Sequence, residues 1–296
     1  MTNKSLSLLT KALPIATSLL LLSGCIVHIS SANANIQQQQ QRTLSATQLQ
    51  QLDVETEAGS LKIIGSNTAT EITVDATIYT AKVTDAYTLT LEQQGDKAVL
   101  LAKNEQSSGM VVYQGSSPSI DLVVTVPSAL TLDIDDGSGD INIKGVQGDI
   151  EIDDGSGSIY IDQGKHIEID DGSGDINLQN IAGNIEISDG SGSIAINNAA
   201  GYLTIEDGSG DINLTDITGN VEIDDNSGSI SAKQLGSDLT IEDDSGDIYA
   251  EHINGLVTIE DGSGSIRVNH AKGLTIIDDG SGDLSIDNIN GPVKLD

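Results

Sequence analysis

The sequence has no phenylalanine and no tryptophan, so any core must be thin and filled by Ile, Leu and Val. It has one cysteine, Cys25, which excludes an intrachain disulfide and any multi-cysteine metal centre. Positive charge is scarce: 13 Lys and Arg stand against 45 Asp and Glu, for a net charge of −32. So acidic a chain repels nucleic acid and anionic lipid, which excludes both as direct ligands and leaves cations and basic partners. Acidic chains with few aromatics are often disordered. Here the aliphatic residues recur at a fixed period, which argues for folding instead. No helical period survives past residue 51.

What is present is a repeat. Between Ile134 and Leu295 the chain spells one phrase nine times: aliphatic, acidic or polar, Asp, Gly, Ser, Gly, Asp or Ser, aliphatic, any, aliphatic, with the first Gly replaced twice. Copies begin at Ile134, Ile152, Ile169, Ile187, Ile205, Ile223, Ile241, Ile259 and Ile277, in steps of 18 with one step of 17 before Ile169. A fixed period of this size signals a stacked repeat architecture. Aliphatics sit two before each start, at it, and seven and nine after, with another usually twelve after. Each pair spaced by two reads as a short strand with one buried face. The Asp-Gly-Ser-Gly phrase between pairs reads as a turn. Two strands and a short third side close one coil, which predicts a β-solenoid. The first turn glycine is replaced by Asn226 and Asp244, residues that tolerate a left-handed backbone, so positive φ is expected there. The second glycine, Gly139 through Gly282, is never replaced, which points to a conformation or close approach open only to glycine. The serine, Ser138 through Ser281, is expected to bond backbone groups at the corner.

Stacking places equal positions over one another. Asp136, Asp154, Asp171, Asp189, Asp207, Asp225, Asp243, Asp261 and Asp279 then form one column, the candidate line for a cation or partner. Adjacent charges about 5 Å apart repel by roughly 0.8 kcal/mol even in bulk water. Two devices offset this: N–H bonds from the following Gly-Ser-Gly in an Asx-type turn, or bridging Ca²⁺. A second column alternates Asp140, Asp175, Asp211, Asp247 and Asp283 with serines, which keeps acids two coils apart if each coil is one repeat. Neither the RTX nonapeptide nor an EF-hand loop fits the spacing. The acids have copies above and below, so no unique catalytic pair stands out as in β-solenoid glycosidases. His28, His166, His252 and His270 read as solvated groups at unrelated positions, and no nucleophile motif is found.

Ahead of the repeats, residues 1–24 read as an export signal: Lys4 and Lys11, then the apolar run Ala12 to Leu22, too short to span a bilayer. Leu22-Ser23-Gly24-Cys25 resembles the bacterial lipobox. That resemblance implies cleavage before Cys25 and its acylation, and Ile26 in place of Asp implies the outer membrane, with a multi-chain lipid anchor. Residues 25–51, with glutamines at Gln37 to Gln41, read as a lipidated cysteine and flexible polar tether. Residues 52–131 read as an irregular β cap or distorted first coils, since Gly59-Ser60-Leu61-Lys62-Ile63 echoes the repeat. Residues 132–296 are the solenoid proper.

Val126-Pro127-Ser128 leading into Leu132-Asp133-Ile134, followed by the Ser-Gly-Asp-Ile and Ser-Gly-Ser-Ile turns, resembles the DUF4097 (putative adhesin) family of bacterial β-strand repeat proteins. The resemblance covers about residues 52–296 and implies a right-handed β-solenoid and an envelope location. The Asp-Asp before the turn departs from that pattern. The expectation is therefore an all-β solenoid of about nine 18-residue coils behind a less regular β cap. Functionally it is a non-enzymatic, lipid-anchored outer-envelope protein presenting an acidic surface for adhesion or scaffolding, without a cofactor. The alternative is a Ca²⁺-binding solenoid, and a carbohydrate-active enzyme comes third. Its expected partners are the membrane through the lipid, and a basic protein or cation-bridged surface.

Overall fold

Alternation along each strand decides which side chains face inward. In Ile150–Asp154 residues 150, 152 and 154 are buried while 151 and 153 are exposed, and the pattern repeats in Ile167–Asp171 and Ile185–Asp189. The computed structural model of the chain describes residues 27–28, 36–80, 85–105 and 118–295. The proposed export signal and Cys25 lie outside these residues. Among the described residues there is no helix, and the chain is an all-β solenoid of about nine turns, one repeat per coil.

Each coil has a first strand before the Asp-Gly-Ser-Gly corner, a second strand after it, and a third side that returns the chain. First strands pair only with first strands, in parallel and in register: Ile152 lies between Ile134 and Ile169, and Ile187 between Ile169 and Ile205. Second strands do the same, with Ile159 between Ile141 and Ile176. The third side adds one inward residue per coil, such as Ile181, Ile217 and Leu235. The core is a set of aliphatic columns in which each methyl-bearing side chain meets its copy above and below. That arrangement explains how a chain without Phe or Trp buries so much of its Ile. The 17-residue coil closes with Gly164 where the others carry Ile, Leu, Val or Ala, paired to Ile181.

The base departs from this order. Gln51–Thr56 and Leu61–Ser66 make a coil in full register with the stack: Leu52 pairs with Leu132, Val54 with Ile134 and Leu61 with Ile141. Beneath it lies a coil from later in the chain, Lys97–Glu105 and Ser119–Pro127, also parallel to it. The polypeptide thus leaves the second level, builds the level below, and then climbs past both to begin the regular stack at Thr131–Asp136. Glu71–Thr80 and Ala86–Gln94 run antiparallel against the lowest coil and close its edge. The described part of residues 52–131 is therefore both cap and first coils.

Two expectations need correction here. The polar tether of residues 25–51 contains a ten-residue strand, Ile36–Ser45, paired antiparallel with Glu71–Thr80 along its whole length. Its glutamines are held by backbone pairing and by bonds such as Gln41 Nε2 to Asp75 Oδ1 at 2.7 Å. The ninth repeat does not start at Ile277. Ile276 pairs with Ile259 and is buried, while a bulge turns Ile277 outward, 46% exposed.

Candidate functional site: the aspartate columns and an acidic face

The Asp that ends each first strand sits two residues after an inward isoleucine, so strand alternation carries it inward too. Eight of the nine expected column members, Asp136 through Asp261, are only 0–5% exposed. Asp279 lies beyond the bulge at the open end and escapes burial. The column is continuous in register, Asp136 to Asp154 to Asp171 to Asp189 to Asp207 to Asp225 to Asp243 to Asp261. This corrects its expected role: a partner at the surface cannot reach these carboxyls.

Of the two devices weighed against repulsion, the Asx-type turn is present. Asp154 Oδ1 accepts the Ser156 N–H at 3.1 Å, and the same bond recurs from Asp171, Asp189, Asp207, Asp225, Asp243 and Asp261 at 2.9–3.0 Å. Asp136 Oδ1 accepts the hydroxyl of Thr56, which stands in the column one coil below, at 2.7 Å. The other oxygen, Oδ2, is buried without a hydrogen-bond partner in all eight. Burial, which penalises the charged form, raises every one of these carboxyls above the usual range. Asp154 and Asp243 are pushed up to about 7, and Asp189 and Asp207 to about 6.

The corner itself answers the glycine question. From Gly139 to Gly246 the second glycine carries the positive φ, +144° at Gly192, and a Cβ there would lie 1.7 Å from the Gly174 carbonyl oxygen below. From Gly137 to Gly262 the first glycine, and Asn226 and Asp244 that replace it, are not among the positive-φ residues, which reverses that expectation for the regular stack; Gly280, beyond the bulge, has φ +46°. Apart from Gln48 in the base, left-handed backbone in side-chain-bearing residues falls at the opposite corner among the described residues: Gln163, Asn180, Asn198, Asp216, Gln234, His252, His270 and Asn288. His252 and His270 hence share one repeat position, against the expectation of unrelated ones, and their rings stack at 4.7 Å. Serine bonds the coil below in part of the stack, as Ser138 Oγ donates to the Glu57 carbonyl at 3.0 Å.

The alternating column is exposed and explains its own alternation. Asp140 accepts the Ser158 N–H one coil up at 3.1 Å, and Asp175, Asp211 and Asp247 do the same for Ser193, Ser229 and Ser265. Each of these four acids therefore has a serine above it rather than another charge.

The surface carboxylates were missed by reading the column alone. They are the outward residues between the buried ones. Asp133, Glu151, Glu168 and Glu186 form one ladder, and Asp135, Asp153 and Asp170 a second beside it. Both line a shallow concavity of about 500 Å³. No Lys or Arg occurs in any first strand from Thr131–Asp136 to Leu239–Asp243. Positive side chains sit elsewhere: Lys144 and Lys233 on second strands, over the rings of Tyr160 and Tyr249, and Lys165 paired to Asp149. Among the described residues no group of three or more His, Cys, Asp or Glu is arranged to hold a metal ion.

A capped, one-repeat-per-coil parallel β-solenoid whose first strands carry no Lys or Arg from Thr131–Asp136 to Leu239–Asp243 defines the class. The sequence matches the Toastrack DUF4097 family over residues 49–254, and the chain belongs to that family. No curated protein matches it. Among solved structures it is similar to a putative adhesin from Parabacteroides distasonis, with 12% identity and a TM-score of 0.48 over 83% of this chain and 96% of that one. It is also similar to a putative adhesin from Parabacteroides merdae, with 10% identity and a TM-score of 0.45 over 87% and 96%. A third, a putative adhesin from Bacteroides fragilis, has 14% identity and a TM-score of 0.41 over 87% and 97%.

Proposed function

We propose that the chain is a lipid-anchored protein of the bacterial outer membrane that presents its acidic sheet for adhesion or scaffolding and catalyses no reaction. The observation that carries this reading is the pair of outward carboxylate ladders on first strands that carry no Lys or Arg from Thr131–Asp136 to Leu239–Asp243. A flat array of like charges at strand spacing binds by summed attraction to a basic surface, which suits a repetitive partner better than a small substrate. The repetition itself speaks against catalysis, since the carboxylates of both ladders have copies in adjoining coils. The anchor rests on Leu22-Ser23-Gly24-Cys25. A calcium-stiffened version would seat ions on the outer ladders. It has less support, because no three-group cluster is formed among the described residues.

The test uses an immobilised polylysine surface as the basic probe. The chain should bind it with a steep loss as salt rises. Replacing Glu151, Asp153, Glu168 and Asp170 by their amides should weaken binding at least tenfold without lowering Tm. Equal binding by that variant rejects the face. Labelled palmitate entering the wild type but not Cys25→Ser tests the anchor separately.

A further inference from the structure

The buried column poses a problem that the exposed face does not. Eight carboxyls stand one coil apart, about 4.8 Å by strand geometry. Each has one oxygen in a turn bond or a Thr56 bond and one oxygen buried without a partner. The charged groups acting on them are all acids. Asp135, Asp153, Asp170 and Asp224 precede them in sequence. Asp244 follows one of them. Asp175, Asp211 and Asp247 face them across the corner, and Asp278 and Asp279 stand at the open end. No ammonium or guanidinium offsets the column, and no metal-holding cluster is built there among the described residues.

The base of the column shows what would. Thr56 occupies the same position one level down, and its hydroxyl donates to Asp136 Oδ1. A hydroxyl at this place in a coil therefore reaches the carboxyl of the next. A protonated aspartic acid carries the same kind of donor. The chain also has a neutral alternative and does not use it here. At the left-handed corner Asn198 Nδ2 donates to Asn180 Oδ1 at 2.8 Å, and Asn180 Nδ2 to Asp162 Oδ1 at 2.8 Å. An asparagine in the inner column would keep the turn bond through its own oxygen, yet all eight positions are Asp.

We propose that the inner column is a ladder of shared protons: carboxyls protonated at Oδ2 donate to the carboxylate of the neighbouring coil, as Thr56 donates to Asp136. The ladder satisfies the orphaned oxygens and removes charge from the core in one step. Folding then takes up protons. Because the folded carboxyls titrate above their ordinary value of 3.8, the stability they supply is fully present below that value. It is lost as pH rises through about 6 to 7, where Asp189, Asp207, Asp154 and Asp243 ionise. The solenoid is thus strengthened by mild acid.

Thermal unfolding of the full chain between pH 5 and 8 tests this, run in about 1 M NaCl, where screening falls to about 3 Å and repulsion on the outer face is suppressed. Tm should rise by several degrees from pH 8 to pH 5. The folded protein at pH 7 should show the infrared C=O band of protonated carboxyls. Asp189→Asn and Asp207→Asn should each flatten the pH dependence and remove part of that band. A flat or falling Tm towards acid, or no protonated band at pH 7, overturns the proposal. So does a Tm at pH 8 that climbs with Ca²⁺ and drops with chelator, which would put cations in the column instead. Should the variants fail to fold, the wild-type band decides alone.

Discussion

The two corners of each coil achieve equal regularity by opposite means. At the Asp-Gly-Ser-Gly corner the residue types hardly change along the stack, because successive corners touch. A Cβ at Gly174, Gly192 or Gly210 would sit 1.7–1.8 Å from a carbonyl oxygen of the coil below. At the left-handed corner the φ values are just as uniform, 55–59° from Asn180 to Asn288, yet the residues are Asn, Asp, Gln and His. Their side chains point to solvent, so the stack constrains the backbone and leaves the chemistry free. Identity across repeats therefore reports crowding, whereas a regular fold needs only a backbone that each residue can adopt.

That contrast can be broken most sharply at the crowded corner. Gly192→Ala must clear a backbone carbonyl and also hold φ at +144°, so a loss of about 4 kcal/mol or more is expected, at the exceptional end for one substitution. Urea unfolding would show it as a collapsed midpoint. Next comes Asp207→Asn, which leaves the backbone alone and removes a buried charge. A carboxyl raised from 3.8 to about 6 loses up to about 3 kcal/mol on ionising, at about 1.36 kcal/mol per unit. The amide should therefore stabilise by up to that amount at pH 8 and by little at pH 4, where the acid is already largely neutral. Paired denaturation curves at the two pH values check the sign. At the tolerant corner, Gln234→Val puts a β-branched residue at φ +57° and should cost about 1–2 kcal/mol. Gln234→Gly should cost nothing in the same assay. Smallest is Ser227→Ala. Its hydroxyl makes only a 3.4 Å contact to the Gly208 carbonyl, and its backbone N–H holds the Asp225 bond regardless. A Tm change beyond the equivalent of about 0.5 kcal/mol would show that the hydroxyl matters more than the glycines suggest.

Much of the solenoid was legible because two periods overlap in the sequence. Alternation marks inward residues and the 18-residue step marks the stack, so Ile152, Ile159 and Ile161 were placed by counting. The same alternation puts Asp136 on the side of Ile134. The signal for burial was present, and the usual preference of acids for solvent hid it. The left-handed corner had no composition signature beyond polarity, so His252 and His270 passed as unrelated. Ile36–Ser45 was invisible for another reason: none of its residues is buried, and backbone pairing with Glu71–Thr80 makes it a strand. Nothing in Lys97–Glu105 or Ser119–Pro127 announces that these strands slide beneath Gln51–Thr56 and Leu61–Ser66, because parallel pairing between distant segments leaves no local mark.

That out-of-order base sets how the molecule assembles. A regular coil finds its neighbour 17 or 18 residues away, whereas Thr56 meets Asp136 across 80 residues and Glu55 meets Lys103 across 48. Loop-closure entropy grows only as the logarithm of length, so the 80-residue closure costs about 1.3 kcal/mol more than an 18-residue one. The upper coils can zip upward in short steps. The foundation must wait for chain that emerges later, so its closure is expected to be slower than the addition of an upper coil.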